Sequence, residues 1–360
     1  QEFDIAGKRM VGPRKLIVNG GVDLSRKPIW IEAPHILKVN GRYYLICAEG
    51  GTAEQHSEVV FRADSVWGPY EPGPRNPILT QRHLDPARPN PITTTGHADF
   101  VRTPAGEWWA VFLGVRPYRG DHYNNGRETY LLPVRWTDDG WPVMLAGTDT
   151  VPHLRAGPSL PRHPAPTPTA GNFTVRDEFD APALPPHWVF VRTPRETWHH
   201  LDGGALTLRG RSAALGDQNA QPSFVGRRQQ HAYASASTAV RYHPRADGDR
   251  AGLAAFHDDR HFYLLTVARV DGRRVVQLEQ RSGDAPASVV AAAPLPGDGP
   301  VHLRIQARGD RYAFSYALRP GAWTTLVDDA DGTVLSSKLA GGFVGTMLGM
   351  YAYAAAPGPR

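Results

Sequence analysis

The sequence predicts an all-β protein, a partial β-propeller followed by an antiparallel β-sandwich. Three observations lead there. Short runs rich in Val, Ile, Tyr, Phe and Trp are broken throughout by Gly, Pro, Asn and Asp. No long stretch keeps a 3.6-residue apolar period, and 33 prolines leave little room for helices. The third observation is an internal repeat within residues 1–155.

One copy of the repeat reads APHILKVNGRYYLICAEGG, then SEVVFRADSVWGPY; the other reads TGHADFVRTPAGEWWAVFLGVR, then ETYLLPVRWTDDGWPV. Each is strand, tight turn (Asn40-Gly41 or Ala105-Gly106), strand, and then a further strand pair. Asn-Gly favours a hairpin because both residues tolerate positive φ. His35 and His97 stand at matching points, so the period is about 60 residues. A four-stranded unit at that interval marks a propeller blade. Residues 1–155 hold two to three such blades, and a partial ring would expose faces and edges that neighbours should cover. The chain opens at Gln1, without Met or a signal segment, in what already reads as strands and turns. Both features suggest a natural start further upstream, and the exposed apolar surface of such a fragment would promote oligomerisation.

Residues 156–172 form the body of a Pro-, Ala- and Thr-rich stretch, VPHLRAGPSLPRHPAPTPTAGN, with the composition of a stiff linker. Residues 173–360 form the second domain. Its short alternating strands, among them ALTLRGR, HAYASASTAVRY and VHLRIQARGDRYAFSYAL, are joined by Gly-Asp and Asp-Gly turns, as in a sandwich.

Composition narrows the function classes. A length of 360 residues favours two domains. Apolar residues make up 41% and charged residues 21%, an ordinary globular balance. The net charge of +5 is spread among scattered acids and bases, which argues against nucleic acid as the main partner. No run of 18 apolar residues suggests a membrane helix. The single cysteine, Cys47, excludes an internal disulfide and reads as a small buried hydrophobe.

Five places come into question for chemistry. Glu32 follows Trp30 and Ile31 and precedes Pro34. A carboxyl between apolar walls resists ionisation and moves towards a working acid. The same spacing also suits a solvated strand-end glutamate. His97, in TTTGHADF, begins a strand, and no His, Cys, Asp or Glu stands beside it at zinc-ligand spacing. Arg127, in NNGRET, could reach a substrate hydroxyl or form a surface pair with Glu128. AEGGT lacks the Lys and the strand-to-helix context of a phosphate loop, so its glycines read as a tight turn or a close approach to ligand. Of Trp108 and Trp109, alternation puts one ring in the core; the other is able to stack on a ligand, but core packing is the better reading.

Taken together, EAPHILKVNGRYYLICAEGGT, GPYEPGPRNPILT, TGHADFVRTPAGEWWAVFLGVRP and GRETYLLPVRWTDDGWPV resemble glycoside hydrolase family 43, in its β-xylosidase and α-L-arabinofuranosidase branch. DEFD…HWVFVRTP, GRRQQH and GGFVGTMLGMYAYA resemble the β-sandwich that follows the propeller in that branch. The resemblance implies a five-bladed propeller with a central sugar pocket and a concanavalin-like sandwich. It implies exo-acting hydrolysis of β-1,4-xylosides or α-L-arabinofuranosides with inversion, using an acid and a base across the sugar.

By motif, Glu32 matches the general acid, Arg127 the arginine on the bound sugar, and Thr52 a pocket-wall residue. His97 matches the histidine beneath the pocket, which in many members sits by a divalent ion, often Ca2+. Phe343 resembles an aromatic that the sandwich lends to the pocket. The family usually has Gly where this chain has Ala33, which should crowd the pocket slightly. The family's base and pKa-modulating aspartates precede the segment where this chain begins. Asp4 and Asp23 have neither the motif nor the position. Impaired activity is therefore expected. The other readings are a lectin-like carbohydrate-binding protein and an inactive fragment. For the parent enzyme, a cytoplasmic location is favoured over a secreted one.

Overall fold

Nearly every element of the computed structural model is a β-strand, and all the strand pairings within its sheets are antiparallel. The structure describes residues 1–161, 168 and 171–355. Residues 162–167 and 169–170 of the expected linker lie outside the described residues. The chain divides into two units, Gln1–Pro117 with Arg127–His163, and Tyr118–Gly126 with Pro164–Arg360.

The first unit begins with a short hairpin, β1 (Glu2–Asp4) and β2 (Arg9–Val11). One sheet follows, from β3 (Ile31–Val39), β4 (Arg42–Glu49), β5 (Ser57–Ala63), β6 (Glu71–Pro72) and β7 (Leu79–Thr80), with β7 also paired to β5. The next sheet takes β8 (Thr93–Arg102), β9 (Trp108–Val115), β10 (Glu128–Trp136) and β11 (Pro142–Val143) in sequence order. These are the two repeats as successive up-and-down blades. Asn40 and Gly41 both take positive φ, 49° and 83°, as a two-residue hairpin turn requires. The second turn is longer, closed by Thr103 N donating to Glu107 O at 2.8 Å.

Strand alternation packs the blades on both faces. Tyr44, Ile46 and Val60 meet Ala98, Phe100, Phe112 and Leu132 in one cluster. Leu45, Cys47, Val59 and Phe61 form another with Val18, Val22 and Ile31. Cys47 is buried as expected, and burial pushes its thiol up to about 12. The two rings of the Trp pair leave β9 on opposite faces, and each packs against protein. Trp109 is buried, and Trp108 lies edge-on to Trp136 at 5.7 Å, so neither is left over for a ligand.

The second unit has two sheets. The larger orders β12 (Val189–Phe190), β15 (Ser223–Arg228), β24 (Met347–Tyr353), β17 (Arg250–Asp258), β18 (His261–Val270), β19 (Arg273–Ser282) and β20 (Ser288–Pro294). The smaller orders β16 (Tyr233–Val240), β21 (Val301–Arg308), β22 (Arg311–Ala317) and β23 (Thr324–Asp331). A separate hairpin, β13 (His199–Asp202) and β14 (Ala205–Leu208), and one helical turn, α1 (Ser337–Ala340), complete it. Alternate residues of the two sheets (Leu253, Leu265 and Leu278 against Leu303, Ile305 and Phe314) fill one core, as in a sandwich.

Tyr118–Gly126 lies within the first 155 residues but belongs to the second unit. Its hydrogen bonds explain why. Asn124 Nδ2 donates to Gly332 O at 2.9 Å and to Tyr312 Oη at 3.1 Å, and Asn124 O accepts from Thr346 N at 2.7 Å. Tyr123 N donates to Ser336 Oγ at 2.9 Å.

Candidate active site

The site in the first unit is built on a repeated irregularity. In β3, Glu32 pairs with Ala48 and His35 with Ile46, so β3 spends one residue more than β4 over that interval. In β8, Gly96 pairs with Leu113 and Asp99 with Val111, the same excess. These are β-bulges, which re-aim side chains at sheet ends. The left-handed residues repeat too. Trp30 and Ala33 have φ of 48° and 51°, and Thr94 and His97 have 58° and 57°. Ala33 is therefore the counterpart of His97, a spacing of 64 from 33 to 97. The expected match of His35 to His97 slips by two residues. His35 instead corresponds to Asp99, and the two side chains meet, Nδ1 to Oδ1, at 3.3 Å.

Glu32 is half-buried on β3. Its expected apolar walls are not its sequence neighbours, since Trp30 is 66% exposed and Ile31 packs against Leu45 and Cys47. His97 is exposed on β8. Arg127 is half-buried, one residue before β10. Its neighbour Glu128 forms a bidentate pair with Arg116, at 2.8 Å from Nε and 2.5 Å from Nη2. Thr52 is exposed beyond the Gly50-Gly51 turn. A Cβ on Gly50 would stand 2.1 Å from Gln55 O, so that turn admits only glycine. Phe343 belongs to the second unit, in the loop before β24, and is 54% exposed there. Asp4 accepts from Ala6 N and Gly7 N, and Asp23 from Ser25 N and Oγ, so both serve turns.

Two buried residues on this site are not evident from the sequence. His56 is 1% exposed, one residue before β5, the place Arg127 takes before β10. Its Nδ1 is 3.1 Å from Thr94 O, so Nδ1 carries the proton and donates. Its ring centroid lies 6.4 Å from that of His97. Burial pushes its pKa down, against the Thr94 carbonyl. Arg127 and His97 add to the fall, while Glu32 opposes it. One neutral imidazole thus lies within electrostatic reach of Glu32, His97 and Arg127.

The second residue, Glu58, is fully buried on β5. Its Oε2 accepts from Ala98 N at 2.8 Å, and the His97 amide lies close enough to act on the carboxyl electrostatically. Burial pushes its pKa up to about 8, against those two amides, with Asp99 adding to the rise. Glu58 is therefore neutral below that pH. The repeat could have signalled both residues, because it aligns His56 with Arg127 and sets Glu58 one alternation further along the same strand.

The arrangement brings together a carboxyl group at Glu32, a cation at Arg127, and imidazoles at His56 and His97. It does not fit a metal through protein side chains. Among the described residues no three His, Cys, Asp or Glu gather to hold an ion, and calcium takes six to eight oxygens, whereas His97 offers nitrogen. Among the described residues no helix is long and apolar enough to cross a membrane.

Comparison with known proteins bears on both units. The profile of glycosyl hydrolases family 43 matches residues 1–142, and that of the beta xylosidase C-terminal concanavalin A-like domain matches residues 176–359. The chain is 37% identical to the non-reducing end alpha-L-arabinofuranosidase BoGH43B of Bacteroides ovatus, over 89% of this chain and 59% of that protein. A GH43_12 structure from a capybara gut metagenome matches with a TM-score of 0.88 at 36% identity, over 98% of this chain and 66% of that one. The xylan beta-1,4-xylosidase of Bacillus halodurans C-125 matches with a TM-score of 0.86 at 30% identity, over 99% and 67%. The chain thus spans about three fifths to two thirds of the length of these proteins.

Proposed function

Because the chain belongs to glycosyl hydrolases family 43, we propose that it carries the proton-donating half of an exo-glycosidase site for terminal β-1,4-xylosides and α-L-arabinofuranosides. The observation that carries the reading is the gathering of Glu32, Arg127 and His97 around the buried imidazole of His56. Glu32 protonates the departing glycosidic oxygen. Arg127 donates hydrogen bonds to sugar hydroxyls from its planar fork. His97 lines the floor.

Inversion needs a second carboxylate across the sugar, about 6.5–9.5 Å from the acid, to activate water. We assign that role to none of the described carboxylates. Glu58 is enclosed and neutral, Asp99 is paired with His35, and Asp4 and Asp23 serve turns. General base catalysis contributes about 10²–10⁴-fold, so this chain by itself should turn over slowly.

The test compares the chain with Glu32→Ala on aryl β-xyloside and aryl α-L-arabinofuranoside. The expected result is a further fall of about 10²-fold or more with poor leaving groups, and a smaller fall with nitrophenolates, which need less protonation. Equal rates in the two proteins would remove Glu32 from the donor role. Saturable binding of xylo-oligosaccharide with no turnover would favour a carbohydrate-binding module instead.

A further inference from the structure

The segment Thr94–Ala98 is an improbable piece of chain. It holds two bulges and two left-handed residues, one of them the β-branched Thr94, for which positive φ is a genuine outlier. Such conformations persist only where the surroundings over-determine them. Here the surroundings come from the preceding blade. His56 and Glu58 flank Ser57, so they point the same way from β5. His56 Nδ1 donates to Thr94 O at 3.1 Å, and Glu58 Oε2 accepts from Ala98 N at 2.8 Å with the His97 amide beside it. Both side chains are buried, at 1% and 0% exposure. Between the two anchors Gly96 lies flush on β5, where a Cβ would stand 2.9 Å from Ser57 O and 3.0 Å from His56 Nε2.

We propose that His56 and Glu58 are a pair of positioning residues, an interblade clamp that holds both ends of the Thr94–Ala98 segment and so fixes where the His97 imidazole stands relative to Glu32 and Arg127. Neither residue touches the sugar. Their catalytic effect runs through His97, and to that extent the inference rests on the proposed glycosidase site. The clamp itself is a claim about structure and can be read without turnover.

The experiment uses the whole chain with 15N-labelled histidine, and His97→Gln to assign the His97 imidazole signals. Glu58→Leu leaves the Ala98 amide without its acceptor, whereas Glu58→Gln keeps a carbonyl oxygen for it. His56→Phe fills the ring's space without its donor and serves if Glu58→Leu does not fold. Val60→Ala is the control for simple loss of packing on the same strand. Glu58→Leu and His56→Phe should shift or broaden the His97 signals, and Glu58→Gln and Val60→Ala should leave them in place. On aryl glycosides kcat/KM should fall about 10²-fold in the first two, mainly through kcat, because misplacement of about 1 Å carries that penalty. Glu58→Gln should recover to within about threefold of the parent. Unmoved His97 signals in both Glu58→Leu and His56→Phe, or equal movement in Val60→Ala, would overturn the clamp. An inactive parent would count against the glycosidase reading alone, because the histidine spectra still decide the clamp.

Discussion

The two blades of the first unit are the same device carrying different residues. Each opens with a strand whose left-handed residues stand three apart, Trp30 and Ala33 in one, Thr94 and His97 in the other. Each has a bulge of the same register after the second paired position, which is Glu32 in β3 and Gly96 in β8. The third strand of each is preceded by a basic side chain, His56 or Arg127. What differs is occupancy. Where β3 carries a carboxylate, β8 can carry only a hydrogen, because His56 already fills that space. Where β3 turns through Ala33, β8 turns through His97. The repeat fixes the backbone, and the chemistry is divided between equivalent positions.

The largest effect that sharpens this comparison is electrostatic, and it is confined to the second blade's support. The usual carboxyl value of 4.5 is raised to about 8 at Glu58. The folded state therefore binds a proton that the unfolded state has lost between those values, and stability must fall with rising pH there. The stabilisation is present in full below 4.5 and is lost as pH rises through about 8. A shift of that size is worth on the order of a few kcal/mol. His56 acts in the other sense. Burial depresses its pKa, so its contribution is present above the unfolded value and is lost as pH falls through the lower folded one. Protection of the Ala98 amide against hydrogen exchange, corrected for intrinsic rate, should therefore decline as pH rises from about 6.5 towards 8, while between 4.5 and 6.5 the two contributions oppose each other. Glu58→Gln should abolish the alkaline decline and uncover an acid one. An alkaline decline of the same size in the variant would mean that Glu58 is already ionised in the fold.

The middle effect breaks the second blade and spares the first. Gly96→Ala puts a methyl group 2.9 Å from Ser57 O and 3.0 Å from the His56 ring, in a buried place. Overpacking of this kind costs about 1–3 kcal/mol. Urea unfolding should show that loss together with weaker protection in β8, while the amides of β3 and β4 at the Glu32 bulge hold their values. Uniform loss across both blades would mean that the two bulges are not independently supported.

How much of this was legible in the sequence follows from what each feature writes there. Alternation and turn residues reveal strands, so the all-β class, the Asn40-Gly41 hairpin and the repeated strand order could be read. A bulge adds one residue and no composition, and here Trp, Ala, Thr and His take the left-handed positions where glycine would have marked them. Matching the repeat on His35 and His97 therefore falls two residues out of register. Glu58 alternates along a strand as a solvent-facing residue would, and only the neighbouring blade makes it buried. Trp30 and Ile31 read as walls for Glu32, but Ile31, adjacent in the strand, faces the opposite way, and Trp30 is left-handed and largely exposed. Tyr118–Gly126 reads as propeller sequence, and it is the side chain of Asn124, bonded 188 residues away to Tyr312, that ties it into the second unit.

The smallest effect concerns Ala33, the place where this chain departs from the glycine usual in the family it resembles. Crowding of a pocket was the expected consequence of that methyl group. The backbone supplies a different one, because Ala33 sits at φ 51°, in the left-handed region. Holding an L-residue there costs about 1–2 kcal/mol, and glycine escapes that cost while giving back about 0.4–1 kcal/mol in unfolded-chain entropy. Ala33→Gly should therefore raise stability by up to about 1 kcal/mol, seen as a higher urea midpoint with an unchanged slope. His97→Gly at the equivalent position offers the same backbone relief but removes the imidazole over His56, so its gain should come with lost activity on aryl glycosides. If instead Ala33→Gly lowers the midpoint, the left-handed turn beside Glu32 is not strained. The two blades would then differ in backbone as well as in side chains.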